Sequence, residues 1–151
     1  MNPLLLDNQL CFSLYAASRA MTAAYAPLLE PLGLTYPQYL ALLVLWEGDN
    51  ISVKQLGERL QLDSGTLTPV LGKLEERGLV ARERDDADAR VVRVTLTAVG
   101  RALKQKAKKI PERLVCQFGI ALPAIARLRD ELNGLTQHLR AANAEDQGET
   151  P

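Results

Sequence analysis

The sequence predicts a mainly α-helical chain with one small β-hairpin, and three observations carry that expectation. Apolar residues recur at helical spacing from the first tens of residues onward. Two Ser/Thr-x-x-Gln capping boxes, Thr35/Gln38 and Ser52/Gln55, announce helix starts. From Leu79 the apolar period changes to two on either side of a polar connection.

Taken in order, Asp7 is placed to cap a first helix over about 7–30, where Leu10, Leu14, Ala17, Met21 and Leu28 fall three, four or seven apart. "PLGL" (31–34) ends it. Thr35 opens a second helix whose apolar "YLALLVLW" runs on to Glu47, and "EGDN" stops it. Ser52 caps a short helix to about Leu60, "QLD" turns the chain, and Ser64 to Arg77 forms the next helix, with Gly78 where a left-handed terminating residue belongs. Two helices joined by a tight turn are the arrangement of a helix-turn-helix. "LVARER" and "VVRVTL" then flank "DDADA" as two strands, so that a hairpin follows at once and the order of elements is that of a winged helix. Its wing spans Asp85 to Ala89, between Arg84 and Arg90.

Thr97 begins a basic helix, "RALKQKAKK", interrupted by Pro111, and Leu122 to about Ala142 forms the last. The expected organisation is a winged helix-turn-helix at 35–96 between helical segments 1–34 and 97–143. The flanking helices carry more apolar stripe than a monomer of this size covers, which points to a dimerisation region. Residues 144–151 lack apolar anchors and are expected to be a disordered tail.

Composition bounds the rest. With 47% hydrophobic and 24% charged residues the chain is of ordinary globular make-up, neither disordered nor membrane-embedded. No leader pattern opens it and no apolar run approaches the roughly 18 residues of a spanning helix. The expectation is a cytoplasmic protein with no membrane partner, no cofactor and no metal. Two cysteines 105 positions apart match neither a zinc site nor a C-x-x-C motif, and by themselves read as small buried hydrophobes.

Net charge is zero, so any nucleic-acid partner must be read from placement. Between Lys73 and Arg93 six basic residues are balanced by six acidic ones, and binding would depend on which face each occupies. A recognition helix needs a small, polar start to enter a major groove about 12 Å wide. "SGTLTP" (64–69) meets that need: Ser64, Thr66 and Thr68 can reach phosphates or base edges, Gly65 permits close approach, and Lys73 lies further along the helix. Alone, the stretch reads equally as a capped, solvent-facing helix. The hairpin bearing Arg84 and Arg90 favours double-stranded DNA, since an arginine on a wing suits the negative potential of a narrow minor groove.

"LDSGTLTPVLGKLEERGLVARERDDADARVVRVTLTAVG" (62–100) resembles the recognition helix and wing of the MarR-type regulators, with the family's wing pattern present as Asp88 and Arg90. The resemblance extends over about residues 7–140. It implies a homodimer whose two winged helices read a pseudo-palindromic operator, with Asp63 at the start of the recognition helix steadying Arg90. The segment from Cys11 to Glu47 is similar, more narrowly, to the organic-hydroperoxide-sensing (OhrR) branch of that family, in which a reactive cysteine lies near the start of the first helix. Two tyrosines follow it there at 14 and 25 residues, the positions of Tyr25 and Tyr36, and two-cysteine members add a resolving thiol in the penultimate helix, the region of Cys116.

That resemblance implies that Cys11 is oxidised by an organic hydroperoxide to a sulfenic acid, with both tyrosines reaching it from the other subunit. It further implies a disulfide with Cys116 of the partner subunit, release of operator DNA and expression of a peroxide-detoxifying gene. Geometry offers an independent check, because 14 residues of helix separate Cys11 from Tyr25 by about 21 Å, too far for contact within one chain. The chemistry asks for a thiolate, the form that attacks an O–O bond, and donated phenolic hydrogen bonds favour it.

Other readings stay beside this one. A regulator of the same fold could bind a small aromatic ligand and leave both cysteines inert, although it would need none of the Cys11, Tyr25, Tyr36 and Cys116 spacings. A thiol peroxidase is disfavoured by the length given to the helix-turn-helix and wing. Tyr15 is as well explained by packing as by a place beside the sulfur. Leu10, Phe12, Leu14 and Met21 read as core, Trp46 as packing and His138 as a surface residue.

Overall fold

The structure is a computed structural model that describes residues 2–148. It forms two compact units, residues up to 114 and residues from 115 onward.

In the first unit, helix α1 (Leu10–Leu29) follows a 3-10 turn at Leu6–Asn8. Asp7 is therefore not the helix cap. The amides of Asn8 and Gln9 close onto the carbonyls of Leu5 and Leu6, which spends Asp7 inside the turn and leaves Gln9 at the cap without a side-chain bond. A second 3-10 turn (Glu30–Leu32) ends at Gly33, whose φ of +64° helps bend the chain by 71°. Helix α2 (Tyr36–Glu47) begins there with both halves of the Thr35/Gln38 capping box in place. It buries Gln38, Tyr39, Ala41, Leu42, Val44 and Leu45 on more than one face, as the central helix of a core does.

Strand β1 (Ile51–Ser52) leads into α3 (Val53–Leu60) through the second capping box, and Asp63 caps α4 (Ser64–Glu76). Leu67, Leu71 and Leu74, at helical spacing along α4, are fully buried, which turns the polar start of that helix outward. Gly78, at φ +71°, ends the helix: its N–H bonds the Glu75 carbonyl and that of Leu79 the Leu74 carbonyl, a Schellman motif. The hairpin is β2 (Val80–Arg84) and β3 (Val92–Leu96), paired from Val80↔Leu96 to Arg84↔Val92. β1 adds to the other edge of β3, in the order β1-β3-β2, so the sheet has three strands where the sequence indicated two. A two-residue strand has no period to read.

Thr97 caps α5 (Ala98–Ala107), and α6 (Ile110–Val115) follows. The break falls at Lys108–Lys109, ahead of Pro111, which occupies the first turn of α6 where its missing N–H costs nothing. Leu10, Phe12 and Met21 are exposed, at 62%, 41% and 36%, and Leu14 is half-buried, so the apolar start of α1 is not core in a single chain.

In the second unit Cys116 lies in a turn just past α6, and helix α7 runs from Leu122 to Gly148 with no buried residue. The stretch expected to be a disordered tail is helical as far as Gly148, because Ala141, Ala142, Ala144 and Glu145 are strong helix formers that need no apolar anchor. Residues 149–151 lie outside the described residues.

Candidate functional site

Two regions carry the candidate residues. On the first, Asp63 accepts the Thr66 amide at 2.7 Å, and that bond holds its carboxyl below the usual carboxylate range. Ser64, Gly65, Thr66, Thr68 and Lys73 all lie exposed on α4. The Thr68 hydroxyl donates back to the Ser64 carbonyl at 2.6 Å, which leaves its lone pairs facing outward as acceptors. Lys73 is 3.5 Å from Glu76 in an exposed pair of little energetic weight.

The wing is braced by its own carboxylates. Asp85 accepts the Ala87 amide and the Arg93 Nε, both at 2.8 Å, and these bonds draw its carboxyl down. Arg93 also donates to the Asn50 carbonyl at 3.1 Å, tying the wing to the approach to β1. Arg84 donates to Ala89 O across the loop at 2.7 Å. Arg90 donates through Nε and Nη2 to the two oxygens of Asp88, each at 3.1 Å, while its side chain remains 90% exposed.

The expected pairing of Asp63 with Arg90 is therefore absent here. Asp63 is committed to the helix cap, and Asp88, two residues from Arg90, offers a carboxylate matched to the guanidinium fork. Sequence reasoning passed over Glu75 and Arg82, which join α4 to β2 by a 3.3 Å ion pair and a bond from the Arg82 amide. No spacing rule pairs a helix residue with a strand residue seven positions on.

In the second region Tyr25 and Tyr36 stack with centroids 4.7 Å apart, and Tyr39 lies 5.6 Å from Tyr25. Burial, together with the neighbouring phenols, pushes the Tyr25 hydroxyl up to about 12, and burial raises Tyr36 and Tyr39. All three stay protonated at neutral pH and can donate hydrogen bonds. Tyr39 escaped the sequence reading, although its place three residues after Tyr36 puts both on one side of α2. An open groove of about 720 Å³ at Tyr36 is lined also by Thr22, Pro27, Leu29, Gly33 and Leu34.

Cys11 is an exposed free thiol in the first turn of α1, and Cys116 is an exposed free thiol of the second unit. One unbroken helix carries both Cys11 and Tyr25, so about 21 Å separates them along its axis. The structure thus brings the two tyrosines together and leaves Cys11 of the same chain apart from them. Tyr15 holds the Arg19 guanidinium 5.5 Å from its ring centre. Trp46 is a half-buried packing residue whose Nε1 donates to Gly100 O at 2.9 Å, and His138 is exposed on α7. Among the described residues no cluster of His, Cys, Asp and Glu could hold a metal ion, and no single helix is long and apolar enough to cross a membrane.

Residues 34–92 match the MarR family. Over 138 residues, 91% of this chain and 94% of the relative, the sequence is 58% identical to the organic hydroperoxide resistance transcriptional regulator of Bacillus subtilis. The chain belongs to the MarR family. The relatives that this MarR-family chain matches are named as transcriptional regulators. Its fold is similar to that of AbfR of Staphylococcus epidermidis, reduced and bound to DNA, at 37% identity and a TM-score of 0.79 over 89% of this chain and 94% of that one. Disulfide-formed AbfR is also similar, at 38% identity and a TM-score of 0.65 over 89% and 91% of the two chains.

Proposed function

We propose that this MarR-family chain is a homodimeric repressor that reads operator DNA and lets go of it when an organic hydroperoxide oxidises Cys11. The observation that carries the reading is the tyrosine pair. Two protonated phenols stack together, Tyr36 lining an open groove and Tyr25 about 21 Å along α1 from its own chain's thiol. If α1 packs antiparallel on α1 of a second copy, the cysteine of one subunit meets the phenols of the other. The exposed apolar start of α1 supports that packing, and residues 1–34 with 97–143 form the dimerisation region in this reading.

In the first step the Cys11 thiolate attacks a peroxide oxygen, the O–O bond breaks, the sulfur is oxidised to a sulfenic acid, and the alcohol leaves after taking a proton. Phenolic donation favours the attacking anion. In the second, the thiolate of Cys116 of the partner subunit attacks the sulfenic sulfur, and hydroxide leaves as water with one proton. A disulfide requires Cα atoms within about 7 Å, so where the reduced pair lies farther apart, bond formation draws their helices together and moves the two reading heads.

DNA reading rests on α4 and the wing. Residues 35–96 present Ser64, Gly65, Thr66, Thr68 and Lys73 to the major groove, with Arg84 and Arg90 on the wing, Asp88 holding Arg90 and Asp63 capping α4. The likeness to AbfR in its reduced, DNA-bound and disulfide-formed states supports both halves of the reading. Two recognition helices about one helical turn apart, roughly 34 Å, match a pseudo-palindrome.

The test uses a duplex enriched from a random-sequence pool by the reduced protein. Cumene hydroperoxide is expected to give a cross-linked dimer on a non-reducing gel and to abolish retention of the duplex, and Cys11→Ser is expected to block both. Release of DNA by Cys11→Ser on peroxide treatment overturns the reading.

A further inference from the structure

The end of α4 and the corner between α1 and α2 are joined by one side chain. Arg77, at the C-terminus of α4, donates from Nη1 to the Gly33 carbonyl at 2.5 Å and from Nη2 to the Leu32 carbonyl at 2.9 Å. Both helix ends are closed in the same way. The Gly33 amide bonds Glu30 O and the Leu34 amide bonds Leu29 O, as Gly78 and Leu79 do on Glu75 and Leu74. Gly33 accommodates the guanidinium twice over: its φ is +64°, and a Cβ there would lie 2.9 Å from Nη2.

The same corner holds the phenols. Tyr36 follows Gly33 by three residues and Tyr25 precedes Leu29 by four. We propose that Arg77 is a positioning residue that couples the Tyr25–Tyr36 corner to the recognition helix, so that engagement or loss of the sulfur beside the phenols is felt at α4. This rests on the thiol reading above. Apolar packing between α2 and α4 is non-directional and resists sliding weakly, whereas a planar fork on two successive carbonyls fixes both distance and orientation. A lysine at 77 could keep the charge near the carbonyls but not the paired geometry. The coupling is also reciprocal: whatever factor oxidation takes from DNA affinity, bound DNA must take from the tendency to form the disulfide.

The test compares wild type, Arg77→Met and Arg77→Lys on the enriched duplex. Kd is measured for reduced and peroxide-oxidised protein, and the disulfide potential is measured in dithiothreitol redox buffers with and without the duplex. In Arg77→Met, Cys11 should oxidise within twofold of the wild-type rate, while the oxidised-to-reduced Kd ratio falls at least tenfold below wild type. The DNA-induced shift in potential should shrink by about 30 mV for each tenfold lost per disulfide. Arg77→Lys should fall between the two. A wild-type ratio and wild-type potential shift in Arg77→Met overturn the proposal. Equal weakening of both redox states, with a salt slope reduced by about one, overturns it in favour of a phosphate contact. If wild type itself keeps DNA after oxidation, the thiol reading fails, and the coupling fails with it.

Discussion

Tyr25 and Tyr36 stack at 4.7 Å although eleven positions and a helix boundary separate them. The left-handed turn at Gly33 lies in a bend of 71° between α1 and α2, which leaves Tyr36 at the start of α2 beside Tyr25 near the end of α1. Two phenols that share one wall can present two hydroxyls to one atom.

Replacing either phenol should therefore slow the thiol. Tyr25→Phe and Tyr36→Phe each remove one donor to a charged sulfur, worth about 1.5–3 kcal/mol, and should slow Cys11 oxidation by roughly ten- to a hundredfold. Loss of free thiol under cumene hydroperoxide measures this. Wild-type oxidation rates in both variants would remove the phenols from the site.

The same burial makes a statement about alkaline stability. The Tyr25 hydroxyl is raised in the folded chain, so the folded form holds its proton after the unfolded form has lost it. Its contribution is fully present below about pH 10 and is lost as pH climbs to about 12. Denaturant midpoints taken across that window should fall more steeply for wild type than for Tyr25→Phe.

On the DNA face, Arg90→Ala should weaken binding by about 1–3 kcal/mol and lower the salt slope by about one. Asp88→Ala frees the guanidinium that it now grips and should cost less, with the salt slope kept. Asp63→Ala removes the α4 cap and should show first as lost stability, about 0.5–2 kcal/mol in thermal unfolding.

Gly100 is a packing constraint that no motif advertises. A Cβ there would lie 2.1 Å from the Leu79 carbonyl and 3.2 Å from a Leu96 methyl, with backbone on the nearer side. Gly100→Ala should cost about 1–3 kcal/mol, a drop of roughly 3–10 °C in Tm by calorimetry. An unchanged Tm would mean that α5 moves freely away from the Leu79 carbonyl.

Cys116→Ser should still lose its Cys11 thiol to peroxide but should stop at the sulfenic acid, or at a mixed disulfide when a small thiol is present. Mass spectrometry distinguishes these products. An intersubunit disulfide that persists in this variant would exclude Cys116 from the mechanism.

Local chemistry made much of this protein legible in advance. Both capping boxes, the Thr97 start, the Gly78 stop and the hairpin around "DDADA" depend on residues within about five positions of one another, and short-range rules read them. The 14-residue interval from Cys11 to Tyr25 likewise separated those two groups before any coordinates, since the rise of a helix is constant. Local rules failed at Asp7, where a 3-10 turn took the first residues, and at β1, which is too short to carry a period.

What the sequence determined by itself is the order of elements, the outward polar face of α4 and the separation of the thiol from the phenols of its own chain. The tertiary structure decided that Tyr39 lies against Tyr25, that Arg93 donates across 43 positions to the Asn50 carbonyl, and that Arg77 reaches across 44 positions to Gly33. The physical reason is range. Capping and periodicity act within a turn or two of backbone, whereas these partners are set by how buried leucines of α2, α4 and the sheet bring distant segments to hydrogen-bonding distance.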